Sequence, residues 1–232
     1  MLVGMRHAPP FIEEAMGELA GLGVKRVIAV IMAPQHSPII MAGYHRAVEQ
    51  AQGVLGEDAV VRVPRAWHTV PAFLEALAIR VREALDRLPP QERATVPVLF
   101  TAHSLPKSVV DKEPEYIEML RYTADETMRR TGLDMARCQF AYQSAGHTPE
   151  EWLKPDIKDL FPALRAAGHR RALVAPVQFL ADHLEVLYDI DVEARKQAAD
   201  AGIELARIEA FNTMPLFIEA LADVVKREAS LT

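Results

Sequence analysis

The sequence predicts an α/β fold of parallel sheets with helices on both faces, and three observations predict it. Short β-branched runs alternate regularly with longer stretches of helical periodicity. The run VKRVIAVIM at 24–32 is nearly continuous in apolar residues, as a strand covered on both faces requires. Of 232 residues, 50% are apolar and 25% charged, enough for a large core and unlike a disordered or collagen-like chain.

The elements follow in two blocks. In the first, Ile12, Ala15, Met16, Leu19 and Ala20 recur at helical spacing within 8–22, and Gly21 and Gly23 close the segment. The strand at 24–32 is broken by Pro34 and Pro38, and a helix runs from Ile39 to about Leu55. A strand at 59–63 and a helix at 71–88 complete the block. The stretch LPPQERATVP at 88–97, with three prolines, reads as a linker. The second block repeats the rhythm: strands at 96–104, 137–142, 170–177 and 203–208, helices at 115–131, 156–167, 183–199 and 214–227. In such sheets ligands sit beyond the carboxyl ends of strands, so chemistry is sought in the loops that follow them.

Charge and cysteine usage exclude other classes. Lys and Arg number 26 against 32 Asp and Glu, a net −6, which offers no basic footprint for nucleic acid. Cys138 stands alone, so no internal disulfide or multi-cysteine metal site is available and a reducing, cytoplasmic setting is expected. No apolar run approaches the roughly 20 residues that span a bilayer, and MLVGMRHAPP lacks a signal peptide's apolar region. Neither GxGxxG nor GxxxxGK[ST] occurs, and Ser104 is not in a GxSxG elbow.

Three loops carry candidate chemistry. TAHSLP at 101–106 puts His103 and Ser104 directly after a strand, where a histidine suits proton transfer or metal ligation, or merely hydrogen-bonds backbone. In the segment 176–196, Glu185, Asp189 and Glu193 share one helical face, either as a solvated acidic ridge or as oxygen ligands for a hard divalent ion. Asp182 and His183 open that helix, with Asp182 placed to be its N-cap. In YQSAGHTPEEWLKP at 142–155, Trp152 either stacks on a flat ligand or packs into the core. His36, His45, His68 and His169 are isolated and read as surface or core residues.

Together GMRHAPPFIEEA (4–15), TAHSLP, YQSAGHTPEEWLKPDI (142–157) and VQFLADHLEVLYDID (177–191) resemble the ferrochelatase family, enzymes that insert Fe(II) into a porphyrin in haem synthesis. The resemblance implies two Rossmann-like parallel-sheet domains of the chelatase type around a porphyrin cleft. The first is residues 1–92, incomplete at its N-terminal side, with a helix at about 212–229 packing back on it; the second is residues 93–211. It implies His103 and Glu185 as the catalytic and metal-binding pair, and a hydrated divalent cation along Glu185, Asp189 and Glu193. By the same carry-over Arg6, His7, Ser104, Trp152 and His183 contact substrate. Lys154 replaces a glycine usual in the family and could meet a porphyrin propionate or stay solvated.

Fe(II) is then a substrate, no tightly bound cofactor is expected, and the absence of further cysteines argues against an iron–sulfur cluster. The partners implied are porphyrin and ferrous iron, with a second chain as one source of the missing N-terminal part. The loop at 143–153 is most similar to the monoderm bacterial type, which uses coproporphyrin III; protoporphyrin IX is the alternative. A reading from another class is a non-catalytic porphyrin- or haem-binding fragment, or one part of a split chelatase.

Overall fold

Two wholly parallel sheets organise the chain; the computed structural model describes residues 1–146 and 148–231. Residues 1–67 with those from Leu221 onward form one compact unit, and residues 68–220 form the other.

The first unit begins with α1 (Ile12–Gly21), whose entry is held by the Phe11 N–H donating to Glu14 Oε2 at 2.6 Å. β1 (Arg26–Ile28) follows, then α2 (Pro38–Gln52). Ser37 caps α2 by accepting from the Ile40 N–H at 3.1 Å, and Pro38 takes the first helical position, where no N–H is needed. β2 (Val60–Arg62) pairs in parallel with β1. Met16, Val48, Ala51, Leu55 and Ala59 form the core here, with Ile12, Leu19, Val27 and Val61 packed against it. Only Arg26, Val27 and Ile28 enter the ladder, although an apolar run of 24–32 predicts a longer strand. β2 is the partner among the described residues and itself offers three positions; the last main-chain bond on this side is Ala29 N–H to Arg62 O at 2.8 Å, short of the run's end at Met32.

The second unit opens with α3 (Pro71–Asp86) and the short α4 (Pro90–Arg93). Then come β3 (Val98–His103), the short α5 (Lys107–Val110), α6 (Pro114–Thr131) and β4 (Cys138–Gln143). α7 (Ile157–Ala166), β5 (Arg171–Pro176), a π-helix (Glu185–Ala194), α8 (Arg195–Asp200) and β6 (Glu204–Arg207) complete the sheet. α9 (Pro215–Ser230) starts here, and its residues from Leu221 onward belong to the first unit. The strand order is β4-β3-β5-β6. One face carries Phe161, Val186, Ile190 and Ala198 from α7, the π-helix and α8; α3 and α6 pack together and onto the strands as well. Cover on both faces is why β3 is buried from Val98 through Ala102.

The compact units meet at residues 67 and 68, where 92 and 93 were expected, because α3 packs on α6 and β5; the proline-bearing stretch at 88–97 lies inside the second unit and leads into β3. The helix expected over 183–199 is wound as π over Glu185–Ala194, shown by the Arg195 N–H reaching back to Ile190 O, and continues as α8.

Candidate active site

Strand order locates the site. From β3 the chain moves outward to β4, then crosses back to β5 on β3's other side. The connections leaving β3 and β5 thus diverge, and a crevice opens beyond their carboxyl ends. His103 ends β3, and the loop after β5 leads to Glu185.

The structure brings His103 and Glu185 together, with His103 Nε2 lying 3.7 Å from Glu185 Oε1. The histidine side chain is 25% exposed and the glutamate 52%, so the pair faces an open space from a half-buried base. His103 Nδ1 is 2.5 Å from the Ser104 carbonyl oxygen, which can only accept, so Nδ1 carries a proton, and in the neutral ring the lone pair is on Nε2. A lone pair and a carboxylate set that close can share a proton or a cation. A divalent ion sits about 2.1 Å from each such ligand by zinc's example, so one ion could touch both. His183 stands beside the pair, Nδ1 4.0 Å from Glu185 Oε2, its ring held edge-on against Phe179 at 4.7 Å.

Below the pair, Gln178 continues the sheet with its side chain. Val177 N–H still donates to Thr101 O at 2.8 Å, but beyond it the two strands splay apart. There the His103 N–H donates to Gln178 Oε1 at 3.0 Å, and the Gln178 amide also hydrogen-bonds the Tyr116 hydroxyl. Burial pushes the Tyr116 phenol up to about 12, so it stays neutral beneath the histidine.

Other expected residues fall into place differently. Ser104 is buried; its hydroxyl donates to Leu153 O at 3.3 Å and its N–H to Gln143 O at 2.7 Å, so it braces two loops. The same loops are joined by Leu153 N–H to Leu105 O at 3.0 Å and Lys107 N–H to Glu151 O at 2.7 Å. Trp152 donates Nε1–H to Thr148 Oγ1 at 3.1 Å, and its ring lies over Gly146, where a Cβ would come within 2.5 Å of it. His147, in the same loop, lies outside the described residues. Lys154 pairs with Asp159 at 2.6 Å. Asp182 does not cap the helix: it pairs with Arg207 and exchanges hydrogen bonds with Asn212. Arg6 and His7 belong to the first unit, where His7 is exposed and the Arg6 guanidinium sits over the Tyr44 ring at 5.6 Å.

Asp189 and Glu193 follow Glu185 along the π-helix and line a cleft of about 200 Å³. Among the described residues no three His, Cys, Asp or Glu side chains converge into a metal cage, so the ridge is a ladder of separate carboxylates. The cleft's floor is Gln143 and Ser144, which the sequence reading passed over. Gln143 Oε1 accepts from Thr101 Oγ1 at 2.5 Å, while Gln143 Nε2 and Ser144 Oγ are buried with no hydrogen-bond partner among the described residues. Ser144 adopts φ 59°, left-handed backbone that a non-glycine residue takes rarely. The QSAG turn is the one signal that could have marked the pair.

Parallel four-stranded order, a histidine ending the central strand and a facing carboxylate define a chelatase-type protein, and comparison with solved structures agrees on the fold. SirB from Bacillus subtilis with Fe3+ matches with a TM-score of 0.68 at 11% identity, covering 94% of this chain and 77% of that one. CbiX, the terminal enzyme of sirohaem biosynthesis in denitrifying bacteria, matches with a TM-score of 0.58 at 13% identity, covering 92% and 78%. The ferrochelatase family profile matches residues 1–229, and the chain belongs to that family. It is 36% identical over 228 residues to the ferrochelatase of Deinococcus radiodurans, covering 98% of this chain and 72% of that protein. It is also 36% identical over 226 residues to the coproporphyrin III ferrochelatase of Geobacillus kaustophilus, covering 97% and 71%. No helix among the described residues is long and apolar enough to cross a membrane.

Proposed function

We propose that the porphyrin into which this ferrochelatase inserts Fe(II) is coproporphyrin III, and that His103 and Glu185 perform the insertion. The observation that carries the assignment is the Nε2 lone pair of His103 facing Glu185 Oε1 at 3.7 Å. Insertion exchanges one Fe(II) for two pyrrole protons, so the site must both receive a cation and take protons away. In the neutral ring Nε2 is able to accept a pyrrole proton or hold the ion. Glu185, more exposed, offers an anionic oxygen on the same side. His183 beside it is a second acceptor for a departing proton. Asp189 and Glu193 extend the negative path away from the pair, where a hydrated divalent ion can shed waters stepwise against single carboxylates. Coproporphyrin III is supported by the Geobacillus relative's activity and by the loop at 143–153.

The test is anaerobic mixing of the chain with Fe(II) and either coproporphyrin III or protoporphyrin IX, followed by porphyrin absorbance. Faster metallation of coproporphyrin III supports the proposal; a preference for protoporphyrin IX reverses it.

We further propose that a strand from a partner chain pairs with the first unit's sheet. β1 and β2 form a three-pair ladder, and Val60 is exposed, which leaves parallel edges able to take another strand. Amides of residues 26–28 should exchange faster in the isolated chain than in material purified from its own cells; equal rates refute this.

A further inference from the structure

Arg207 ends β6, and its side chain is 13% exposed. Its guanidinium grips Asp191 with two parallel bonds, Nε to Oδ1 at 3.0 Å and Nη2 to Oδ2 at 2.8 Å. Nη2 also reaches Asp182 Oδ1 at 3.3 Å, and Nη1 donates to Ile208 O at 2.9 Å. Asp182 is held from its other side: its N–H donates to Asn212 Oδ1 at 3.0 Å, and Asn212 Nδ2 donates to Asp182 Oδ2 at 2.9 Å. Asp182 precedes Glu185 in the chain and Asp191 follows it, so one cation brackets the segment that presents the glutamate.

That bracket matters because of how the segment is wound. Glu185 opens a π-helix, a winding with poor intrinsic stability that persists where neighbours impose it. Leu184 before it is 79% exposed and packs on little. Val186 and Ile190 are buried and set the depth of the helix. Ahead of them the turn is held by His183 O accepting from the Leu187 N–H at 2.9 Å, by the His183 ring against Phe179, and by Asp182, which Arg207 ties to Asp191. Without the guanidinium, two like charges would instead face each other and push the loop away from the helix. Burial works against Arg207's charge, yet Asp191 and Asp182 outweigh it and raise the pKa further, so the clamp stays charged.

We propose that Arg207 is a positioning residue for metallation: by tying Asp182 to Asp191 it sets Glu185 opposite His103. The proposal rests on the reading of that pair as the insertion site. Arg207 itself touches neither His103 nor Glu185, so its effect passes through the geometry of the segment.

Arg207→Lys is the test, because a lysine is a point charge that cannot make the two-pronged grip. It is compared with wild type and with Glu185→Gln, alone and combined, and Asp191→Asn serves as the milder companion if Arg207→Lys folds poorly. In Arg207→Lys, kcat for Fe(II) insertion should fall about tenfold with the porphyrin KM unchanged. The same substitution should add nothing in the Glu185→Gln background. Amide exchange should quicken over residues 182–188 while β3 and α6 keep their protection. A loss that is undiminished in the Glu185→Gln background overturns the proposal, as does unchanged exchange over 182–188. If wild type itself fails to metallate, the functional reading falls, and the exchange measurement still decides whether Arg207 orders the segment.

Discussion

The Ser104 carbonyl oxygen stands 2.5 Å from Nδ1 of His103, so the backbone of the loop selects the histidine's tautomer. No side chain is needed for this, and no single substitution removes the carbonyl. The nitrogen that works is the one turned toward Glu185.

It follows that His103→Ala should lower Fe(II) insertion by at least about a hundredfold, the usual contribution of a placed proton acceptor. Porphyrin binding, read by fluorescence quenching, should survive. An unimpaired rate would remove His103 from the chemistry.

Glu185→Gln keeps shape and removes charge. Its kcat should fall strongly while porphyrin binding is kept, because the carboxylate meets the metal and protons rather than the macrocycle's periphery. A pure rise in porphyrin Kd would contradict the role.

Gln178→Leu strips the His103 N–H of its acceptor where β3 and β5 separate. An unsatisfied buried donor costs about 1–3 kcal/mol, so the denaturation midpoint should drop, with a smaller loss of rate as His103 shifts. A variant as stable as wild type would mean that water replaces the amide.

Gly146→Ala places a Cβ 2.5 Å from Trp152 Cζ2, and the indole has to move. Trp152 fluorescence should shift and its bond to Thr148 should be lost. Spectra identical to wild type would show that the turn, not the ring, yields.

Burial depresses the pKa of His68 below 6.5. As pH falls below that value, the unfolded chain takes up a proton that the folded chain resists, so this contribution holds at neutral pH and fades toward the folded pKa. Between about pH 7.5 and pH 5.5, wild type should lose stability more steeply than His68→Gln. Parallel pH slopes for the two proteins would exclude His68 as the cause.

How much of this was legible in the sequence depended on what each residue's neighbours decide. β3 and β5 read clearly because both faces are covered, and hydropathy reports that directly. β1 read too long, since hydropathy does not say whether a partner strand is present. His103 and Glu185 were visible as chemistry after strands and from the family resemblance. The π winding was not, because residues with i+4 spacing stay near one face in either helix. The bond from the Ser104 hydroxyl to Leu153 O was not legible, since it joins two loops far apart in sequence. Gln178 and Arg207 carried no motif. Each acts through a partner distant in sequence, His103 for one and Asp182 and Asp191 for the other.

The stitching of residues 104–107 to 151–153 has a consequence for protein engineering. Ser104, Leu105 and Lys107 are bonded to Leu153 and Glu151, so the histidine's loop and the tryptophan's loop form one cassette. A chimera that imports either stretch alone inherits half a zipper, and its histidine would be presented at a foreign angle. Exchanged as a matched set, the two loops should carry their geometry into another scaffold, and substrate preference can be sought in the pair rather than in either member.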